Sequence, residues 1–247
     1  MAKLIPQRID VTKCHILLAA LFLALILTGC RRGGEPKTAT VSSVKGDAER
    51  FQEWLSEKEH YLHDVNSPYR DEEAYIPVLE EIIASPYADS AQKATAAHEL
   101  PLFSLNRIGE TAADFNFTLR NGRSSSLYKV KADHILLCFS NPGCGACKEM
   151  EGMLGDSPFR EMVEQGALKV VNIYPDDDLT EWMEESAGYP VQWTSGFAPE
   201  VDEPGDGGLP LYNIRAIPTF YLLDGKHRTL LKDAPLERIA AYLLQES

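Results

Sequence analysis

Two cysteines spaced Cys144-Gly-Ala-Cys147 are the residues of this chain best suited to chemistry, and what they can do depends on where they sit. An apolar run, Ile135-Leu-Leu-Cys-Phe139, breaks at Asn141-Pro142-Gly143, and the cysteines follow at once. That order reads as strand, tight turn and helix start. With Cys144 in the first turn of a helix running through Met153 and Leu154, the two thiols share one helical face and come within reach of a disulfide. Unpaired amide donors and the positive end of the helix dipole favour an anion at that turn. Cys144 is therefore expected to be the accessible thiolate nucleophile, and Cys147 the thiol that closes the pair.

Half a zinc site and a static bridge share this spacing. The chain offers no second Cys-x-x-Cys, and its six histidines are scattered, so the reading assigns no metal and no cofactor. His60, His63 and Asp64 read as surface residues at a helix end. Asp176-Asp177-Asp178 reads as a cap for a helix beginning near Leu179, since no Gly and Glu follow at calcium-loop spacing. Cys138, inside the apolar strand, reads as a core thiol, with a third redox partner as the alternative.

Around these residues the chain of 247 residues divides into four segments. Residues 1–29 have a basic start (Lys3, Arg8, Lys13), an apolar run from His15 to Leu27, and Leu27-Thr28-Gly29 before Cys30, the layout of a secretory signal. The apolar run is short for a membrane span, and an uncleaved anchor helix is the other reading. Residues 30–45, rich in Gly, Thr, Ser and Lys, read as a flexible tether. The formal charge is −13 and becomes −15 once residues 1–29, with three basic and one acidic residue, are removed. So acidic a body excludes nucleic acid as a partner and repels anionic membrane surfaces.

Residues 46–108 carry helical periodicity. Phe51, Trp54, Leu55, Tyr61 and Leu62 form a first apolar face. Asp71 caps a second helix with Tyr75, Val78, Leu79, Ile82 and Ile83 inward, and a third spans Ser90 to about Ser104 with Ala94, Ala97, Leu100 and Phe103 inward. Pro77 and Pro101 stand against uninterrupted helices. From Gly109 the pattern changes to alternation at Phe115, Phe117 and Leu119. A hairpin turn follows at Asn121-Gly122, with a new start at Ser126-Leu127-Tyr128. Phe159 to Gly166 reads as a short helix and Leu168 to Ile173 as a buried strand. Gln192 to Leu209 reads as a surface loop, in which Trp193 and Phe197 either line a rim or pin the loop. Thr219 to Leu223 turns at Asp224-Gly225 into Thr229-Leu-Leu231, and Leu236, Ile239, Ala240, Leu243 and Leu244 give a closing helix.

Cys144-Gly-Ala-Cys147 together with the downstream Arg215-Ala-Ile-Pro-Thr-Phe220 resembles the thioredoxin superfamily, in which an Ile-Pro-Thr segment carries a cis-proline facing the redox pair. The layout Ala113-Asp114-Phe115, Leu119, Asn121-Gly122 and Ser126-Leu127 looks like its TlpA-like branch of exported thiol–disulfide oxidoreductases. Residues 64–79 resemble a helical module of unknown function found before such domains in bacterial lipoproteins. The resemblance implies an α/β fold, a thioredoxin-like mixed sheet with helices on both faces, over 109–247, preceded by a small all-α domain over 46–108. It also implies reduction of protein disulfides without a cofactor, recognition at Ile217 and Pro218, and protein disulfide or dithiol substrates with an upstream electron donor. Leu27-Thr-Gly-Cys30 looks like a lipobox, implying lipidation at Cys30 and a lipid-anchored place in the cell envelope, facing the periplasm from the outer membrane. Gly143, Ala146 and Cys138 depart from the thioredoxin pattern, and Cys138 replaces a buried acid. Glu149 or Glu151 is the candidate to assist Cys147 in its stead, though both read more simply as surface helix residues. The alternatives are a non-catalytic thioredoxin-like binding module and a thiol peroxidase, for which no peroxide-activating Thr or Arg is evident.

Overall fold

A computed structural model describes residues 48–205 and 207–246. The expected signal segment, the tether, Cys14 and Cys30 lie outside the described residues. Among the described residues no helix is long and apolar enough to cross a membrane.

The N-terminal part is three helices. Helix α1 (Ala48–Lys58) runs on into a π-helical turn, Glu59–His63. Helix α2 (Glu72–Ala84) is capped by Asp71, whose carboxylate accepts from the Ala74 amide at 3.0 Å. Helix α3 (Ser90–Phe103) starts with a capping box of Asp89 and Gln92. Pro77 and Pro101 both lie inside helices, on exposed positions where water can reach the carbonyl left without a donor. The core is Phe51, Leu55, Tyr75, Val78, Leu79, Ile82, Ala96 and Phe103. All three inward faces differ from expectation at some positions: Ala94 and Ala97 are exposed while Ala96 is buried, and Tyr61 and Ile83 are exposed. The π turn rotates the chain after Lys58 and so carries Tyr61 off the face that Phe51 and Leu55 define.

The C-terminal part is a mixed sheet of β1 (Asn116–Leu119), β2 (Ser124–Ser126), β3 (His134–Phe139), β4 (Leu168–Tyr174), β5 (Thr194–Phe197), β6 (Thr219–Asp224) and β7 (Thr229–Lys232). Its order is β2-β1-β5-β4-β3-β6-β7, with β3, β4 and β5 parallel and the flanking pairs antiparallel. Leu127–Lys129, expected to continue the hairpin strand, is a 3-10 turn. Strand β5 lies where a loop was expected. Gly196 is required there by packing, since a Cβ would stand 2.6 Å from the Phe117 ring and 2.7 Å from Ile173.

Both faces of the sheet are covered. Helices α4 (Gly145–Leu154), α5 (Phe159–Glu164) and α7 (Leu236–Glu246) pack on Leu136, Cys138, Val170, Phe220 and Leu222. Leu244 of α7, expected inward, is exposed. The other face is closed by 3-10 helices at 127–129 and 199–201 and by Tyr212, over Ile135, Leu137, Phe139, Val171 and Tyr221. Asp178 caps α6 (Leu179–Glu185), accepting from the Glu181 amide at 2.9 Å.

Buried charge joins the helices to the sheet. Glu72, fully buried, stands 3.2 Å from Arg215 and 3.5 Å from Lys232, and accepts from Asn213 at 2.6 Å. Arg215 also donates to Asp233 at 2.5 Å and lies over the Phe103 ring at 5.0 Å. Lys232 donates to the carbonyls of Phe103 and Leu105 at the end of α3. Desolvation first, then the charge of Asp233, pushes the Glu72 carboxyl up to about 7, against the pull of Lys232 and Arg215. A raised carboxyl contributes most stability below its ordinary value of 4.5 and loses that contribution as pH climbs through 7. The stability difference between the native chain and Glu72→Gln should therefore fall by up to about 3 kcal/mol between about pH 5 and about pH 8, measured by urea unfolding. An unchanged difference would place the carboxylate's charge in a fully compensated site.

Candidate active site

The end of β3 delivers the chain to the site. Phe139 closes the strand, and Ser140 is buried with its hydroxyl donating to Asn172 of β4 at 2.7 Å. Asn141 donates to Asp176 at 2.9 Å and so ties the turn to the loop after β4. Gly143 has φ +70, a conformation that a side chain would strain. It turns the chain into α4 with Cys144 as the N-cap residue. The Cys147 amide donates to the Cys144 sulfur at 3.2 Å, so a thiol occupies the place that a carboxylate or hydroxyl oxygen takes at other helix starts.

One turn separates two very different thiols. Cys144 is half-buried and opens to solvent, and its Sγ lies 3.8 Å from the Ile217 carbonyl. Cys147 is buried beneath it, and both are free thiols. Burial, then the hydrogen bond with Cys144, pushes Cys147 up to about 12, with the Asn141 backbone pulling the other way. Cys138 is fully buried in the same core cluster and is driven well above the ordinary thiol range, first by desolvation. It has no opening to solvent through which to exchange.

Ile217 and Pro218 meet the cysteines from the far side, joined by a cis peptide bond. The Thr219 hydroxyl donates to the Ala216 carbonyl at 2.6 Å, and Arg215 fixes the loop upstream through Asp233 and the His63 carbonyl, at 2.5 and 2.6 Å. The structure thus brings Cys144, Cys147, Ile217 and Pro218 together, while Cys30 lies outside the described residues. Of the two candidate acids, Glu149 is exposed. Glu151 is half-buried and its charge reaches Cys147; burial first, then Glu185, raises its carboxyl.

One residue near the pair, Tyr189, carried no sequence signal, and Trp193 was placed only in a loop, at a rim or as its pin. Tyr189 bonds Ser140 and lies close enough to Cys147 to feel its charge, its hydroxyl pushed up to about 12 by burial first and Glu151 second. It packs on Trp193 at 5.9 Å, and Trp193 is buried in the cluster that holds Cys147, so this tryptophan backs helix α4. Phe197 packs on Tyr174 and Trp182 at 6.0 and 5.6 Å, away from the cysteines. His63, expected as a surface residue, is paired with Glu99 at 3.1 Å and stacked on Phe103. Among the described residues no group of His, Cys, Asp and Glu is placed to hold a metal.

A thioredoxin-like protein from Bacteroides caccae is similar over most of this architecture, at 38% identity and TM-score 0.72, covering 81% of this chain and 72% of that one. The chain belongs to the thioredoxin-like family. A Bacteroides fragilis protein of unknown function, at 38% identity, and the C-terminal domain of a further protein from that species, at 41%, match 56% of this thioredoxin-like chain and 98% of each of theirs, both with TM-score 0.52. Residues 37–106 match a domain of unknown function, DUF5106. Comparison with curated proteins gives no match.

The exposure difference within the thioredoxin-like pair gives a direct test. Brief treatment of the reduced native chain with iodoacetamide should label Cys144 while sparing Cys138 and Cys147 until denaturant is added, read by peptide mass spectrometry. Equal labelling of Cys144 and Cys147 would contradict the buried placement of the second thiol.

Proposed function

We propose that the protein is a lipid-anchored, extracytoplasmic thiol–disulfide oxidoreductase that reduces protein disulfides through Cys144 and Cys147. The observation that carries this reading is the asymmetry of the pair: a half-exposed sulfur held at a helix start by the Cys147 amide, with the second thiol buried one turn deeper. The Cys144 thiolate attacks a substrate disulfide, forming a mixed disulfide and releasing one substrate thiolate. Cys147 then loses its proton and attacks the Cys144 sulfur, closing the internal disulfide and releasing the second substrate thiolate. The substrate gains two electrons and the pair loses them, so an upstream dithiol donor must restore the reduced form. Ile217 and Pro218 recognise substrate, with the Ile217 carbonyl facing the nucleophile as an acceptor for an extended chain. Glu151 is the nearer of the two candidate acids to take the Cys147 proton.

The reducing direction rests on the resemblance of the Ala113-Asp114-Phe115, Asn121-Gly122 and Ser126-Leu127 layout to the TlpA-like branch. Anchoring rests on Leu27-Thr-Gly-Cys30, where diacylation at Cys30 would hold the acidic body at a membrane its own surface repels.

Purified protein should reduce insulin disulfides with dithiothreitol as donor, and Cys144→Ser should abolish this. A static bridge predicts no turnover in either. The potential of the pair in glutathione or dithiothreitol buffers should lie near the roughly −270 mV of thioredoxin, and a value near −120 mV would reverse the direction. Because Cys147 is protonated at neutral pH, resolution of the mixed disulfide should quicken by up to about tenfold per pH unit between about pH 6 and about pH 9, followed by stopped-flow fluorescence. A flat profile would mean that deprotonation of Cys147 does not limit the step.

A further inference from the structure

Beside the cysteines runs a groove of about 250 Å³ that belongs to both parts of the molecule. Its lining includes Ala146, between the two cysteines, Ile217 and Pro218 of the opposing loop, and Met150 and Met153 of α4. Val65 and Asn66, from the loop joining α1 and its π turn to α2, line it too. The N-terminal helices therefore reach the redox site through this loop.

The loop is built as a fixed wall. Within it, the Asn66 amide donates to Asp64 at 2.9 Å and the Ser67 hydroxyl to the Tyr61 carbonyl at 2.8 Å. It is also tied to the thioredoxin-like part at both ends. Before it, Arg215 donates to the His63 carbonyl at 2.6 Å; after it, Arg70 meets Asp233 at 3.4 Å and Arg238 meets Asp71 at 2.8 Å. The side chain of Arg215 is thus shared: it holds the wall with one nitrogen and steadies the Ile217-Pro218 loop from two residues away.

Resting on the redox reading above, we infer that the 64–70 loop is a specificity wall, and that the groove takes an aliphatic side chain next to the reacting cysteine of an extended substrate segment. Three features favour that occupant. The groove is lined by Ala146 and by Ile217, whose carbonyl lies 3.8 Å from the Cys144 sulfur, so it lies within reach of a segment whose cysteine is bonded to Cys144. Its apolar lining includes Val65, Ile217, Pro218 and Met153, and the exposed, flexible thioether of Met153 adapts to varied aliphatic shapes, while Met150 is buried in the core. The one basic side chain lining it, Arg70, is engaged by Asp233, while Glu149 and Glu237 stand exposed at its edge and repel acidic neighbours.

The test uses the full chain and two disulfide-linked peptide dimers that differ only in Leu or Gly beside the cysteine. Native protein should show kcat/KM about tenfold higher for the Leu peptide. In Val65→Asp that preference should fall toward one, and Asn66→Trp, at an exposed position, should lower it by filling the groove; thermal melts confirm that each variant is folded. Equal rates for the two peptides in native protein, or an undiminished preference in a folded variant, would overturn the wall. Folded native protein that reduces neither peptide would instead overturn the redox reading beneath it.

Discussion

The contact on which the rest depends is a single hydrogen bond, from the Cys147 amide to the Cys144 sulfur. Helices α2, α3 and α6 of this chain begin with aspartates whose oxygens satisfy an amide of the first turn. At α4 a sulfur does that work, and the group that caps the helix is the one the proposed reaction uses as nucleophile. The same turn fixes the second thiol beneath the first, and the backbone thereby separates a reachable sulfur from a protected one. Gly143 and the Asn141 side chain serve this turn: one supplies the positive φ, the other ties it to Asp176.

The opposing wall is held differently. Ile217 and Pro218 sit on a loop whose position is set by buried charge, with Arg215 placed among Glu72, Asp233 and the His63 carbonyl. Such networks contribute little net stability, but losing one member leaves a costly unpaired charge. Their value is in fixing one arrangement. Through them the N-terminal helices stop being a neighbouring module and become a support for the Ile217-Pro218 loop. Lys232, donating to the end of α3, closes the same junction.

Much of this was legible in the sequence where local rules suffice. Strands β3, β4 and β6 are continuous apolar runs, the Cys144 turn carries its glycine, and Asp71 and Asp178 mark their helices. Strand β5 was hidden because Thr-Ser-Gly-Phe is short and polar, and its glycine is there for the Phe117 ring, a distant partner. The inward face of α3 was misread because alanines carry little periodic signal, so Ala96 could not be told from Ala94 or Ala97. Tyr189, Val65 and the buried charges were invisible for one reason. Each acquires its role from residues far along the chain, and nothing in its own neighbourhood distinguishes it from surface.

The most direct test of the central claim is to trap mixed disulfides with full-length Cys147→Ser in cells and map the linked peptides by mass spectrometry. Division of labour at the helix start requires every captured substrate cysteine to be joined to Cys144. Capture through Cys138, or no capture by a folded variant, would contradict the account.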